Sequence, residues 1–160
     1  MILITNQQRR FAIEEDSLRA SVQRLLDTLG YVDFDIGILL TTNRAIKQYN
    51  KQYRNKDVVT DVLSFPFHQI KAGKHIVAKT ADEKNLGDII IAPAFVWDKL
   101  AESADWHQKQ KKEQLILLHK RTIELIVHGL CHLLGYDHDT DADYKAMQQK
   151  ERQLLQSLVK

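Results

Sequence analysis

The chain contains one cysteine, Cys131, in 160 residues. That excludes an internal disulfide framework, so the fold must be held by its own core, and it fits a reducing compartment. Two prolines and six glycines are too few for a long Pro- or Gly-rich linker, and no tract repeats. No apolar run approaches membrane-spanning length, and the apolar part of the opening MILITNQQRRF is too short for a signal peptide. The expected address is the cytoplasm, with no membrane partner. A dominant charge is missing as well: 23 basic against 21 acidic residues leave +2, so bulk electrostatics announces no nucleic-acid partner and any such contact must come from a local patch. What remains is 44% hydrophobic and 28% charged residues, the mixture of an ordinary folded protein, in a length that buries a sizeable core without metal. A single domain over residues 1–160 is expected.

Periodicity supplies the elements. Leu18, Val22, Leu25, Leu26 and Leu29 form one helical stripe over about Ser17 to Leu29, with Gly30 as its stop. Phe34, Ile36 and Ile38 alternate against Asp35 and Gly37 as a half-buried strand does. Thr42 or Asn43 can cap a short helix reaching about Asn50. Strands are expected at Val62–Phe65, closed by Pro66, and at Leu86–Ala92, closed by Pro93. Between them, QIKAGKHIVAKTADEKN fits either a hairpin arm or a loop. Helices follow over about Ala94–Ser103 and Lys111–Leu134, the second half of the latter, IELIVHGLCHLL, being apolar nearly all round and therefore buried. Tyr144, Met147, Leu154, Leu155 and Leu158 trace a last helix whose stripe is interrupted at Glu151, and Leu3 or Ile4 begins an N-terminal strand. The class is α+β: a small mixed sheet covered by several helices.

The stretch HGLCHLLGYDH carries the chemistry. A helix advances four residues by about forty degrees beyond one turn, so His128 and His132 share a face. Gly135 can end the helix in the left-handed conformation, and the turn through Tyr136 and Asp137 returns His138 to the same point. Three neutral imidazoles suit Zn²⁺, one ion, and leave a fourth position open. Satisfied core histidines are the ordinary alternative, but two polar rings on an apolar helix are costly to bury without strong partners. Cys131 points away from the bisector of the two helical histidines and reads as a small buried residue. A calcium loop counted from Asp137 fails, since it would need glycine at Ala142 and glutamate at Gln148. Asp137 or Asp139 is expected to orient a histidine ring, and Thr140 or Asp141 to cap the last helix.

This metzincin-like zinc site on a central buried helix lacks the proteases' glutamate: Gly129 follows the first histidine. Gly129 can supply no general base, so proteolysis loses its mechanism. A second stretch, YRNKDVVTDVLSFPF, places Arg54, Lys56 and Asp57 before a strand, too polar for the core and expected to line a surface or cleft. Lys47, Lys51 and Arg54 fall at helical spacing with Tyr49 and Tyr53 interleaved, which suits a solvated helix face and a nucleic-acid contact equally.

YRNKDVVTDVLSFPF, LGDIIIA and HGLCHLLGYDH together, in this order along the chain, resemble the YbeY-type endoribonuclease family over about Asp35 to the last helix. Cys131 and Val59 depart from the family's usual aliphatic residue and proline. The resemblance implies zinc on His128, His132 and His138, a catalytic role for Arg54, and single-stranded RNA as substrate. It further implies a role in ribosomal RNA maturation, at the 3' end of the small-subunit RNA, and in ribosome quality control, with the ribosome or ribosomal proteins as partners. Zinc and a guanidinium flanking a phosphodiester can stabilise the charge that develops on its oxygens. The general base stays open among a metal-activated water, the RNA's ribose hydroxyl and Asp88. Two rival classes stay open too: a ribosome-associated assembly factor with structural zinc, and a zinc hydrolase acting on another substrate.

Overall fold

The computed structural model describes residues 1–159. Its elements run β1 (Ile2–Asn6), α1 (Glu15–Leu29), β2 (Asp35–Leu40), α2 (Asn43–Arg54), β3 (Val62–Pro66), β4 (Asn85–Ile91), α3 (Pro93–Leu100), a 3-10 turn at Trp106–Gln108, α4 (Lys111–Leu133) and α5 (Asp141–Val159). The protein is α+β, as its periodicities indicate. The four strands form one sheet in the order β1-β2-β4-β3. β1, β2 and β4 are parallel, while β3 runs antiparallel along β4 and forms an open edge.

Strand alternation decides which side is covered. Ile2, Ile4, Ile36, Ile38, Ile89 and Ile91 project to one side and join Leu18, Val22, Leu25 and Leu26 of α1 and Leu125, Ile126 and Leu130 of α4 in the main core. Each such leucine or isoleucine contributes roughly 1.5–3 kcal/mol by leaving water. The other side carries a smaller cluster of Ile46 from α2 with Leu63, Ile90 and Ala92. The sheet thus has α1, α4 and α5 on one side and α2 on part of the other.

Local chemistry sets the boundaries. Gly30 ends α1 at φ 78°, a left-handed position that glycine occupies without strain. Thr42 caps α2, its hydroxyl accepting the Ala45 N–H at 3.2 Å. α2 extends a turn past Asn50 and stops at Asn55, itself left-handed at φ 58°. That extra turn is what brings Arg54 onto the helix. The segment between β3 and β4 contains no strand and is anchored at its middle. Ile76 is buried, its N–H donates to the Tyr31 hydroxyl at 3.0 Å, and His75 stacks on the Tyr31 ring at 4.4 Å. No described helix is long and apolar enough to cross a membrane.

Candidate metal centre and cleft

α4 crosses the sheet at Gly129. A Cβ built there would lie 3.0 Å from Cδ1 and Cγ2 of Ile89 and 3.0 Å from Ser64 Oγ, so the helix rests against β3 and β4 at a distance only glycine permits comfortably. The position that holds glutamate in HExxH proteases therefore faces the sheet here. Gly129 is a packing residue, and its identity follows from the closeness of α4 to the strands.

His128 and His132 lie one turn apart on the half-buried side of α4, with their Nε2 atoms 3.2 Å apart. Gly135 ends the helix at φ 86°. Its N–H donates to the His132 carbonyl at 3.0 Å and the Tyr136 N–H to the Cys131 carbonyl at 3.0 Å. A Cβ at Gly135 would also fall 2.1 Å from the Ile70 carbonyl oxygen, so glycine is required there by conformation and by space. The turn returns His138 to the other two: ring centroids are 5.9 Å from His128 and 5.2 Å from His132. The candidate ligand atoms of all three lie within 4.8 Å of one another.

Hydrogen bonds on the far side of the rings fix what the near side offers. His132 Nδ1 lies 3.0 Å from the Tyr136 carbonyl oxygen, which can only accept, so Nδ1 carries the hydrogen. His128 Nδ1 lies 2.6 Å from Glu151 Oε1 and donates to that carboxylate. In the neutral rings both Nε2 atoms then present lone pairs to each other across 3.2 Å with no proton to share, an arrangement that repels unless a cation sits between them. Burial, with the neighbouring His128 and His138, holds the His132 pKa below the ordinary histidine value. That favours the neutral form a metal ligand needs. The residues present fit a metal ion.

The carboxylate that orients a ring comes from α5 and not from the turn. Among the described residues neither Asp137 nor Asp139 hydrogen-bonds a histidine ring; Asp137 Oδ1 accepts the backbone N–H of His138 at 2.8 Å instead. The sequence signal for Glu151 is the charged break in the apolar stripe of the last helix. Thr140 caps that helix, its hydroxyl accepting the Asp143 N–H at 3.1 Å. Cys131 is buried, and burial first, then the charge of Glu151, pushes its thiol up to about 12. It stays a protonated core residue.

The three histidines share the lining of a cleft of about 790 Å³ with Asn50, Arg54 and Lys56 and with Val62 and Ser64 of β3. Arg54 reaches across the strand edge: Nη2 donates to the Ser64 carbonyl at 2.7 Å, and Cζ lies 5.8 Å from the Phe65 ring centroid. The basic stripe of α2 divides in two. Lys47 and Lys51 share Asp57 at 3.9 and 3.5 Å, while Arg54 and Lys56 have no carboxylate partner among the described residues. Asp88 lies elsewhere. It projects over Gly37 of β2, a Cβ on which would sit 2.1 Å from Asp88 Oδ1, and it does not line the cleft.

The open edge of β3 is blunted. The ladder bonds of Ala92 N–H to the Asp61 carbonyl and Phe67 N–H to the Leu86 carbonyl place Val62, Ser64 and Pro66 with their backbone groups facing outward. Asp61 Oδ1 takes the Val62 N–H at 2.8 Å, Arg54 takes the Ser64 carbonyl, and Pro66 has no N–H. The Val62 carbonyl, the Ser64 N–H and the Pro66 carbonyl remain, so an extended peptide meets an interrupted ladder along this edge.

Comparison with known proteins gives the family and the fold. The endoribonuclease YbeY of Homo sapiens is 37% identical over 158 residues, covering 98% of this chain and 87% of the human one. That of Caldicellulosiruptor bescii is 34% identical over 163 residues, covering 98% and 96%. The solution structure of TM1509 from Thermotoga maritima shares the fold, with a TM-score of 0.62 at 23% identity over 99% of this chain and 89% of that one. The family model described as endoribonuclease YbeY matches residues 3–159, and the chain belongs to that family.

Proposed function

We propose that this protein is a zinc-dependent endoribonuclease that cuts single-stranded RNA. Its place of action is the maturation of ribosomal RNA, at the 3' end of the small-subunit RNA, and ribosome quality control, in the cytoplasm. The observation that carries the nuclease reading is that two lone-pair-bearing Nε2 atoms 3.2 Å apart line the same cleft as an arginine with no carboxylate partner among the described residues. Family membership supports RNA as the substrate and the ribosome as the setting.

His128, His132 and His138 would hold the ion. When bound, zinc supplies a Lewis acid that stabilises negative charge on a phosphate oxygen. The protein's own residues do the rest. Glu151 and the Tyr136 carbonyl hold two imidazoles in the tautomer that binds metal. Arg54 is tethered by one N–H to Ser64 and keeps other N–H groups free, which supports its role as the cation that clamps the phosphodiester within the cleft. Peptide hydrolysis is disfavoured twice, by Gly129 packed on the sheet and by the blunted β3 edge.

The test is cleavage of a labelled single-stranded RNA and of its duplex by the purified protein, beside an identically prepared His132→Ala variant. The expected result is cleavage of the single strand by the wild type alone. Absence of cleavage by a wild type that contains zinc would sink the nuclease reading.

A further inference from the structure

Tyr53 is 59% exposed, yet its ring is held in place. It stacks on Tyr49 with centroids 6.3 Å apart and 16° between planes, and makes a T-shaped contact with Phe65 at 5.3 Å. Phe65 in turn lies beneath the Arg54 guanidinium. The Tyr53 hydroxyl makes no hydrogen bond among the described residues, so hydrogen bonding does not explain why a large ring is kept in solvent beside the arginine of the cleft. Val58, which lines the cleft, and Phe67 after β3 are also more than half exposed, at 57% and 52%. From Asn43 to Asp61 the chain carries five basic residues against two acidic ones; Lys47 and Lys51 pair with Asp57, and of the three cations without a carboxylate partner among the described residues, Arg54 and Lys56 line the cleft and Arg44 does not.

We infer that Tyr53 is a stacking platform for an unpaired nucleobase, adjoining the phosphate that Arg54 contacts. The inference rests on the endoribonuclease reading above. An apolar protein partner would leave these cations uncompensated. A polyanion that also carries planar bases satisfies both the charge and the ring, and every base has a π face that can stack on an aromatic side chain whatever the sequence. The platform also gives a physical source of strand selectivity: phosphate contacts accept paired and unpaired RNA, whereas a base already in a duplex has no free face to offer Tyr53.

The test is steady-state cleavage of a fluorescein-labelled, unstructured oligoribonucleotide and of a counterpart whose central bases are replaced by abasic riboses. Wild type, Tyr53→Phe, Tyr53→Leu and Arg54→Ala are compared. Tyr53→Phe should match the wild type. Tyr53→Leu, which keeps apolar bulk and loses the aromatic face, should raise KM roughly ten-fold on the normal RNA with little change in kcat. On the abasic RNA it should be indistinguishable from the wild type. Equal KM for wild type and Tyr53→Leu on the normal RNA, with Arg54→Ala inactive, would overturn the platform and leave the nuclease reading intact. A wild type that cuts neither RNA overturns both. The unfolding midpoint of Tyr53→Leu should equal that of the wild type; a raised KM accompanied by a lowered midpoint would mark Tyr53 as structural and overturn the platform.

Discussion

Glu151 of α5 and His128 of α4 are joined by a 2.6 Å contact between Oε1 and Nδ1, although 23 residues separate them in the chain. The bond turns the lone pair of His128 Nε2 toward His132 and the open cleft. On the metal-site reading, Glu151→Ala should weaken zinc binding 10- to 100-fold, while Glu151→Gln, whose amide oxygen still accepts, should lose much less. Competition with a chromophoric chelator measures both. Equal zinc affinity in Glu151→Ala and the wild type would show that the carboxylate is only a helix-to-helix contact.

Gly129 tests the account of the missing glutamate. An added methyl meets Ile89 and Ser64 at 3.0 Å, so Gly129→Ala should cost about 1–3 kcal/mol in urea unfolding. Part of that is offset by alanine's better helix propensity, about 1 kcal/mol. Gly129→Glu should be far more destabilising and should confer no peptidase activity on a generic peptide pool. A stable Gly129→Glu protein that cut peptides would mean that α4 can rotate away from the sheet.

Much of this could be read from the sequence, for local reasons. His128, His132 and His138 are brought together by helix period and one glycine turn, both visible in eleven residues. The strands and helices followed from alternation, stripes and caps at Gly30, Thr42 and Gly135. Glu151 was legible only as a flaw in an apolar stripe, since nothing local says that α5 packs across α4 at His128. The acidic residues beside His138 were the nearer candidates in sequence, and they lie close to His138 in space, yet neither hydrogen-bonds a histidine ring among the described residues. Whether the basic stripe of α2 was paired could not be read either: Asp57 neutralises Lys47 and Lys51 through a loop whose path depends on Asn55 turning left-handed. Asp88 shows the same limit, because a strand residue's side depends on the irregularity at Gly87, which shifts the pairing between β2 and β4.

Arg54 separates phosphate chemistry from scaffold. Its single hydrogen bond to Ser64 is at a strand edge, so Arg54→Ala should lower stability by no more than about 1 kcal/mol. Zinc content should be unchanged. Cleavage of single-stranded RNA should fall at least 100-fold, on the order of 2.7 kcal/mol of lost transition-state stabilisation. Arg54→Lys should recover little, because an ammonium cannot grip two phosphate oxygens at once. Full activity in Arg54→Lys would reduce the guanidinium to a point charge.

Removing the metal distinguishes an enzyme from an assembly factor whose zinc is structural. The three histidines lie on one helix and the turn that follows it, and none closes a long loop around the core. Leu18, Leu25, Ile36, Ile38 and Ile126 are fully buried without any contribution from the site. Chelated protein should therefore keep its helical circular dichroism and unfold cooperatively. Its unfolding free energy should fall only by the linkage amount, about 2.7 kcal/mol when zinc stood at a hundred times its Kd. His132→Ala should behave likewise, folded but inactive. Unfolding on chelation would assign the ion to the architecture. In that case loss of cleavage in the histidine variants would say nothing about chemistry, and Arg54→Ala, which leaves the ligands alone, would be the variant that decides.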